Sequence, residues 1–291
     1  MTNVVAGVLV ALLVIGCASN RPAPDGTVTV GTFNVEWLGD GSEDRMPRTD
    51  ADYLRIADIV IKSGADVLGV QEVENDAALR KILRYCSEYD GMVLKGETAQ
   101  NVGVIWRKSV KVDSVGPYEG LVVQAGRSRP GLIVRCSYEG FDWLMMVVHL
   151  KSTSRFDSTN QLRELAREIR SQQASALRRW SDSLLTTGAE KDILIVGDMN
   201  DVPTKKTMPT LTALTESTSM RFLTKDMKSC GPRDRLAIDH VIASAQAASR
   251  LVAGSVRTED FHAFLDAESA EKVSDHCPVV VRFHSAAADN D

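Results

Sequence analysis

Apolar residues follow two patterns along the chain: short runs typical of strands, and three- or four-residue steps typical of helices. Runs that end in a polar residue predict strands at 27–34, 66–72, 102–106, 132–138, 143–149, 192–200, 237–244 and 277–283. The stepped pattern predicts helices at 50–63, 76–88 and about 160–185. Gly64 is a helix stop and Asn75 is an N-cap in this interpretation, because glycine and asparagine favour those positions.

The order of these elements indicates an α/β (α+β) protein with mixed sheets. Strands outnumber helices, and a hairpin-like pair at 132–138 and 143–149 stands among helical crossovers. Two mixed β-sheets packed face to face, with helices outside them, would use every predicted element. Residues 27–285 contain no internal repeat and no break, so we expect one domain there, followed by a short tail at 286–291.

The N-terminus is a separate segment. Residues 4–16 are an apolar run that is short for a membrane span and has the length of a secretory signal core. The run ends at Gly16 and Cys17, which resembles a bacterial lipobox. We therefore expect a signal peptide at 1–17, lipidation of Cys17 and a flexible tether at 18–26. An uncleaved anchor is the alternative. Both interpretations place the domain outside the cytoplasm, as an exported, membrane-anchored protein facing the periplasm or the cell exterior.

Composition narrows the classes of partner. The 291 residues are 44% hydrophobic and 25% charged, with a net charge of −5, which is typical of a soluble globular domain. An acidic chain has no global field that attracts nucleic acid, although a local basic groove remains compatible with it. Nothing in the sequence indicates an obligate protein partner. Cys86, Cys136, Cys230 and Cys277 lack CxxC spacing, so we expect buried free thiols rather than a zinc site. The alternative is a disulfide in an exported protein, for which the sequence does not identify the pair.

Acidic, amide and imidazole side chains follow or interrupt the apolar runs. The set comprises Asn34, Glu36, Glu72, His149, Asp198, Asn200, Asp239, His240, Asp275 and His276. Ligands of layered α/β proteins bind beyond the ends of strands. Carboxylates that converge there would repel one another unless a cation lay between them. Oxygen ligands without a cysteine cluster favour Mg²⁺ (or Mn²⁺), and such a site suits phosphoryl transfer to water.

Six segments occur in an order that resembles a known family. They are TFNVEWLG, GVQEVEN, VVHLKS, IVGDMND, IDHVIAS and SDHCPV. Together they are similar to the signature segments of the endonuclease/exonuclease/phosphatase superfamily, which includes deoxyribonuclease I. The resemblance spans residues 29–282 and implies a four-layered α/β sandwich with a metal-dependent phosphoesterase site.

The resemblance also implies a role for each matching residue. Glu72, Asn34, Glu36 and Asp275 would hold the metal. Asp198 would orient or deprotonate the attacking water, and Asn200 would hold a phosphate oxygen. His276, polarised by Asp239, would stabilise the transition state or protonate the leaving oxygen. His149 would be a second histidine facing the phosphate, whereas His240 is left outside the site.

The resemblance leaves the substrate open. A nuclease acting on phosphodiesters is the first hypothesis, because GDMNDVP and SDHCPV are more similar to nuclease-like members. A lipid or small-molecule phosphoesterase, sphingomyelinase-like or a phosphatase, is the second. A catalytically inactive surface-binding module is the third, which the complete set of charged residues disfavours.

A phosphodiester substrate needs positive charge beside the site. Loops at 125–131, 149–155, 203–206 and 228–235 contain lysine and arginine. If these loops share one rim, they form a local basic groove on an acidic protein. We expect Arg127 and Arg129 to contact phosphate, because guanidinium groups match it with two hydrogen bonds. Lys151 is either a third contact or a solvated loop charge.

Overall fold

The computed structural model describes residues 26–96, 98–154, 156–231 and 235–287. The predicted signal peptide, Cys17, nearly all of the predicted tether and the end of the C-terminal tail lie outside the described residues. Within the described ranges, no helix combines the length and the apolar character needed to cross a membrane.

The described strands and helices extend from Thr27 to His284. The strands are β1 (Thr27–Leu38), β2 (Val67–Val73), β3 (Tyr89–Val93), β4 (Asn101–Arg107), β5 (Lys111–Tyr118), β6 (Gly131–Tyr138), β7 (Phe141–His149), β8 (Ile193–Asp198), β9 (Met220–Phe222), β10 (Asp239–Ser244), β11 (Arg257–Thr258) and β12 (Val279–His284). The helices are α1 (Asp50–Ser63), α2 (Asp76–Leu83), α3 (Asn160–Thr187), α4 (Thr212–Thr215), α5 (Ala245–Ser249) and α6 (Ala267–Glu271), with 3-10 turns at Glu119–Leu121 and Phe261–Ala263.

The strands form two six-stranded mixed sheets, which confirms the predicted fold class. The first sheet has the order β11-β12-β1-β2-β4-β3, and the second has the order β5-β6-β7-β8-β10-β9. Each sheet contains one parallel pair, β1 with β2 and β7 with β8. The predicted hairpin is the antiparallel pair β6 and β7.

Three apolar clusters stack these sheets and helices into four layers. Valines of both sheets, such as Val30 and Val196, meet in the central cluster around Trp143. The outer face of the first sheet packs on α1 and α2, and the outer face of the second packs on α3. Burying apolar residues on both faces of each sheet stabilises the fold and explains the near-continuous apolar runs of the central strands.

Local sequence signals predicted the start of α2 and the end of α1 correctly. Asn75 caps α2 by accepting a hydrogen bond from the Ala78 N–H group, and Gly64 ends α1 in the left-handed conformation at φ 64°. The prediction was wrong at the end of α2, which stops at Leu83 and not at 88. Strands β3, β5, β9 and β11 were not predicted; β5 is mostly exposed or half-buried, and β11 spans two residues.

Candidate active site

The predicted site residues lie where the ends of strands from both sheets approach each other. The Asn34 amide at the end of the first sheet donates to Glu72 Oε1 at 3.3 Å and, across the two sheets, to Asp198 Oδ2 at 3.2 Å. Register pairs His149 with Asp198 in the parallel β7–β8 ladder, and Asp198 with Asp239 in the antiparallel β8–β10 ladder. Asn34 therefore links the carboxylates of the two sheets directly.

Left-handed backbone aims several of these side chains. Glu36, Trp37, Glu72 and Asn200 have positive φ angles of 41°, 52°, 61° and 52°. Each such conformation costs of order 1–3 kcal/mol for a residue with a side chain, and strain of this kind concentrates at functional sites. In this conformation the Trp37 N–H group donates a hydrogen bond to Glu72 Oε2 at 3.3 Å.

The carboxylates of the site are crowded together, and those of Asp198 and Asp239 are buried. Burial, together with the charge of Asp239, raises the pKa of Asp198 to about 7. Burial and the charges of Asp275 and Glu72 likewise raise the pKa of Glu36 to about 7, while the Asp275 N–H group donates to Glu36 Oε2 at 2.9 Å. A bound cation would offset this repulsion.

The donor set fits a divalent metal ion. Asp198, Asp239 and His276 offer ligand atoms that lie within 4.8 Å of one another. The predicted ligands Asn34, Glu36, Glu72 and Asp275 adjoin this group through the contacts above. Asn34 Oδ1 accepts the Glu36 N–H group at 3.0 Å and keeps its second lone pair. Oxygen atoms dominate the set, as magnesium and manganese prefer.

His149 is held as a neutral imidazole. Arg129 Nη1 lies 2.5 Å from His149 Nδ1, so that nitrogen must accept and the ring proton must sit on Nε2. Nε2 lies 3.6 Å from Asp198 Oδ2 and 3.8 Å from Glu72 Oε1. Burial first, and then the charge of Arg129, lower the pKa of His149 well below 6.5. His149 is therefore an N–H donor directed at the centre of the site.

His276 is held as an imidazolium. Its Nδ1 atom lies 2.7 Å from Asp239 Oδ2. Burial disfavours the charged ring, but the charge and hydrogen bond of Asp239, together with the charges of Asp198 and Asp275, outweigh burial and hold the pKa of His276 well above 6.5. Ser274 fixes the segment, because its hydroxyl donates to the Asn34 carbonyl at 2.7 Å and accepts the His276 N–H group at 3.0 Å.

Asn200, two residues after the end of β8, presents the remaining polar group. The Asn200 N–H group donates to Asp198 Oδ1 at 2.8 Å, and its side-chain amide donates to the Leu150 carbonyl at 3.1 Å. One amide hydrogen of Asn200 is left for a ligand. His240, in contrast, pairs with the Thr224 hydroxyl at 2.9 Å, which agrees with its exclusion from the site.

The three predicted phosphate contacts have different surroundings. Arg129 contacts His149, and burial lowers the pKa of Arg129. Arg127 and Lys151 both pair with the buried Asp157, at 3.5 Å and 3.3 Å, which offsets part of their charge. Arg155 and residues 232–234 of the basic loops lie outside the described residues. Contact of Arg127, Arg129 and Lys151 with phosphate stays a prediction.

Sequence reasoning missed several residues that build the site. Arg48 donates to five backbone carbonyls, those of Val35, Glu36, Trp37, Lys272 and Val273, and so ties the Glu36 turn to the segment before Asp275. Asp157 anchors the loop after β7 by accepting from the Ser154 N–H group at 2.8 Å. The serine of the SDH segment was a signal for Ser274. Arg48 and Asp157 stand in polar loops without a comparable pattern.

The expectation of four free thiols was wrong for one pair. Cys230 and Cys277 form a disulfide, with Cα atoms 5.9 Å apart, whereas Cys86 and Cys136 are buried free thiols. The two bonded cysteines are 47 residues apart in sequence. They meet because the loop before β10 and the segment before β12 are adjacent in space, which no local pattern reveals.

Several solved structures have a similar architecture. TDP2 from D. rerio in complex with a single-strand DNA product matches with a TM-score of 0.62 and 18% identity, over 89% of this chain and 99% of that one. An endonuclease/exonuclease/phosphatase protein from Bacteroides vulgatus has a TM-score of 0.62 and 16% identity, over 88% and 98% of the two chains. A mannosyl-6-phosphatase from Bacteroides thetaiotaomicron has a TM-score of 0.60 and 17% identity, over 87% and 98%. At these identities the likeness establishes the fold alone.

Sequence comparison establishes the family. No curated protein matches the sequence significantly. The sequence model of the endonuclease/exonuclease/phosphatase family matches residues 31–276, which include all six resembling segments except for the last three residues of SDHCPV. Its members are hydrolases that act on phosphoesters and depend on a divalent metal ion. The chain therefore belongs to the endonuclease/exonuclease/phosphatase family.

Proposed function

We propose that the chain is a divalent-metal-dependent phosphodiesterase that cleaves nucleic acid. The main support for a hydrolytic reaction is the pair His149 and His276, which flank Asp198 and are held in opposite charge states. A neutral N–H donor can bind a phosphate oxygen, an imidazolium can protonate the leaving oxygen, and a carboxylate can accept a proton from water, which together suit hydrolysis of a phosphodiester.

Each group has a position suited to one part of the reaction. Asp198, with a donor on each oxygen, orients water and takes its proton. His149 Nε2 and the spare Asn200 amide hydrogen donate to the phosphate oxygens. His276 gives its Nε2 proton to the leaving oxygen, while Asp239 keeps the ring oriented. Bound Mg²⁺ or Mn²⁺, held by Glu72 with Asn34, Glu36 and Asp275, would stabilise negative charge on the phosphate.

An arginine–aromatic stack beside the site favours nucleic acid among the phosphodiesters. The Arg45 guanidinium lies 3.9 Å from the Trp37 ring centroid and 5.6 Å from that of Phe156. The Trp37 N–H group donates a hydrogen bond to Glu72, so the stack lies next to this predicted metal ligand. Phe156 is 65% exposed. Bases of single-stranded nucleic acid stack on such platforms, at about 1–3 kcal/mol per base. The DNA product bound to TDP2 is consistent with this choice.

A sugar phosphatase is the second candidate. The pairing of Arg127 and Lys151 with Asp157 leaves less positive charge for a polyanion than the sequence suggested. The similar fold of the mannosyl-6-phosphatase points in the same direction.

A substrate panel separates the two candidates. The purified chain should be offered single-stranded DNA, duplex DNA, RNA, sphingomyelin and mannose 6-phosphate, each with Mg²⁺, with Mn²⁺ or with EDTA. We expect metal-dependent cleavage of single-stranded nucleic acid and a several-fold higher KM for it in Phe156→Ala. Asp198→Asn, prepared identically, controls for contaminating nucleases. Hydrolysis of mannose 6-phosphate alone, or activity that survives EDTA, would overturn the proposal.

We also propose that the protein is exported and carries lipid on Cys17. The apolar run before Gly16 and Cys17 supports this location. The Cys230–Cys277 disulfide is consistent with it, because disulfides persist in oxidising compartments. Mass spectrometry of the mature protein should find an acylated N-terminal cysteine, and Cys17→Ser should leave the membrane fraction. An unchanged mass and an unchanged fractionation of Cys17→Ser would exclude lipidation.

A further inference from the structure

A second group of metal-ligand side chains surrounds the Cys230–Cys277 disulfide. Cys230, Asp260, His262 and Cys277 each place a potential ligand atom within 4.8 Å of the others. Three separate chain segments supply them: the loop before β10, the 3-10 turn at Phe261–Ala263 with its cap, and the segment before β12. None of these residues belongs to the catalytic set, although Cys277 directly follows His276.

The donor set matches one metal chemistry. Two thiolates, an imidazole and a carboxylate are ligands of Zn²⁺, which binds four such groups tetrahedrally. With Zn–S bonds of about 2.3 Å, two thiolates on one ion lie about 3.8 Å apart. Rotation of the cysteine side chains opens a sulfur pair to that separation without moving the backbone far. Among the described residues, the His262 imidazole makes no hydrogen bond, and its ring stacks on that of Phe261.

The four residues are held together by contacts other than the disulfide. Strand β11 pairs with β12 through Thr258 and Val279, and the Glu259 N–H group donates to the Pro278 carbonyl at 2.9 Å. The Thr258 hydroxyl donates to the Lys228 carbonyl at 3.4 Å, which ties the Cys230 loop to the same strand. Asp260 accepts the His262 N–H group at 3.0 Å, and Phe261 between them is fully buried. Opening the disulfide would therefore leave the ligands close to each other.

We propose that the dithiol form of the chain binds one Zn²⁺ through Cys230, Asp260, His262 and Cys277. A dithiol reductant supplies the two electrons that break the S–S bond and is itself oxidised to a disulfide. The two protein thiols then lose their protons as they bind the ion. The segment that carries His276 is thus anchored by the disulfide when oxidised and by zinc when reduced.

Cobalt is the probe that tests this site separately from the catalytic carboxylates. Thiolate ligands give Co²⁺ a near-ultraviolet charge-transfer band, and tetrahedral coordination gives intense visible bands, whereas oxygen ligands give neither. The full chain should be reduced with dithiothreitol, desalted without oxygen and titrated with Co²⁺. We expect both bands to saturate at one Co²⁺ per chain and to disappear on addition of Zn²⁺. The oxidised chain should show neither band.

Variants identify the ligands. Cys277→Ser should abolish the charge-transfer band at one equivalent, and His262→Ala should weaken Co²⁺ binding at least about 10-fold. His284→Ala is the matched control, because His284 is an exposed histidine outside the group, and it should bind like the parent chain. If Cys277→Ser misfolds, His262→Ala still tests whether the proposed ligands bind the metal. His262 is only partly buried, and the oxidised His262→Ala chain keeps its disulfide, so this variant should fold. Absence of the band in the reduced parent chain, or an unchanged band in His262→Ala, would overturn the proposal.

Discussion

His149 and His276 lie in one site, yet their neighbours favour opposite protonation states. Arg129 faces His149 Nδ1, whereas Asp239 faces His276 Nδ1. An arginine cannot accept a proton, so it fixes His149 as a neutral acceptor at that nitrogen. An aspartate stabilises the charged ring. The sequence identified both histidines, but their partners lie 20 and 37 residues away and determine which ring donates a proton.

Arg129→Gln should raise the pKa of His149. The variant removes the positive charge that contributes, after burial, to the low value, so the pKa should rise while remaining below 6.5. Histidine NMR resonances followed against pH in the metal-free chain report both rings. The matched control is Arg127→Gln, which lies beside Asp157 and makes no described contact with His149. An equal rise in both variants would mean that the Arg129 contact does not determine the His149 charge state.

Asp198→Asn should lose at least the roughly 10²–10⁴-fold in kcat that acid–base assistance provides. His276→Ala should be similarly inactive. The double variant should be scarcely slower than either single variant, because the two residues act on one transition state. Steady-state kinetics on the preferred substrate measure all three variants. Full activity of Asp198→Asn would require that another group activates the water.

Asp198→Asn should also change the thermal stability of the chain, by an amount that depends on pH. The pKa of Asp198 is about 7 in the fold and 3.8 ordinarily, so the folded chain holds a proton that the unfolded chain releases above pH 4. The stability that this proton contributes is therefore lost as pH rises from about 4 to 7. In EDTA, the melting temperature of Asp198→Asn should improve relative to the parent chain by several degrees between pH 5 and pH 8. A difference that stayed constant with pH would show that Asp198 titrates near its ordinary value.

At the scale of elements, the backbone conformation of Gly197 determines where β8 places Asp198. Its φ angle is 150°, and a Cβ atom would lie 2.0 Å from the Val148 carbonyl oxygen of the parallel neighbour β7. Gly197→Ala should therefore destabilise the chain by more than about 3 kcal/mol, within the range of severe packing mutations. Gly188→Ala is the control, because it also has a positive φ of 67° but no atom within 4 Å, and it should cost about 1–2 kcal/mol. Urea unfolding measures both. Equal costs would assign the effect to φ rather than to the clash.

Elements with strong local signals were predictable, and elements that depend on neighbours were not. β8 is an uninterrupted buried run, and α1 has apolar residues at three- and four-residue steps and a glycine stop, so pattern alone identified them. β5 has an exposed, irregular pattern, and it is a strand because β6 lies beside it. The site followed the same rule. Strand-end residues such as Asp198 were found from sequence, whereas Arg48, whose partners are backbone carbonyls from two distant segments, was not.

At the scale of the whole molecule, the site exists only where the two sheets meet. Asn34 and Glu72 belong to the first sheet, whereas His149 and Asp198 belong to the second. The central apolar cluster fixes the distance between the sheets and therefore between the two halves of the site. Close-packed interiors transmit small displacements, and a 1 Å misplacement of catalytic groups can cost about 10²-fold in rate.

Gly69→Ala tests this dependence, because a side chain at Gly69 on β2 would point at the second sheet. An added Cβ atom would lie 2.7 Å from a Val196 methyl group and 3.0 Å from one of Val147, so the sheets must separate or the valines must shift. We expect kcat to fall by about 10-fold or more while circular dichroism shows a folded chain at the assay temperature. Ile82→Val is the control, since it removes one methylene under α2 in the outer layer and costs about 0.5–1.5 kcal/mol without acting between the sheets. Its kcat should match that of the parent chain. If both variants lost activity in proportion to stability alone, the spacing of the sheets would not govern the geometry of the site.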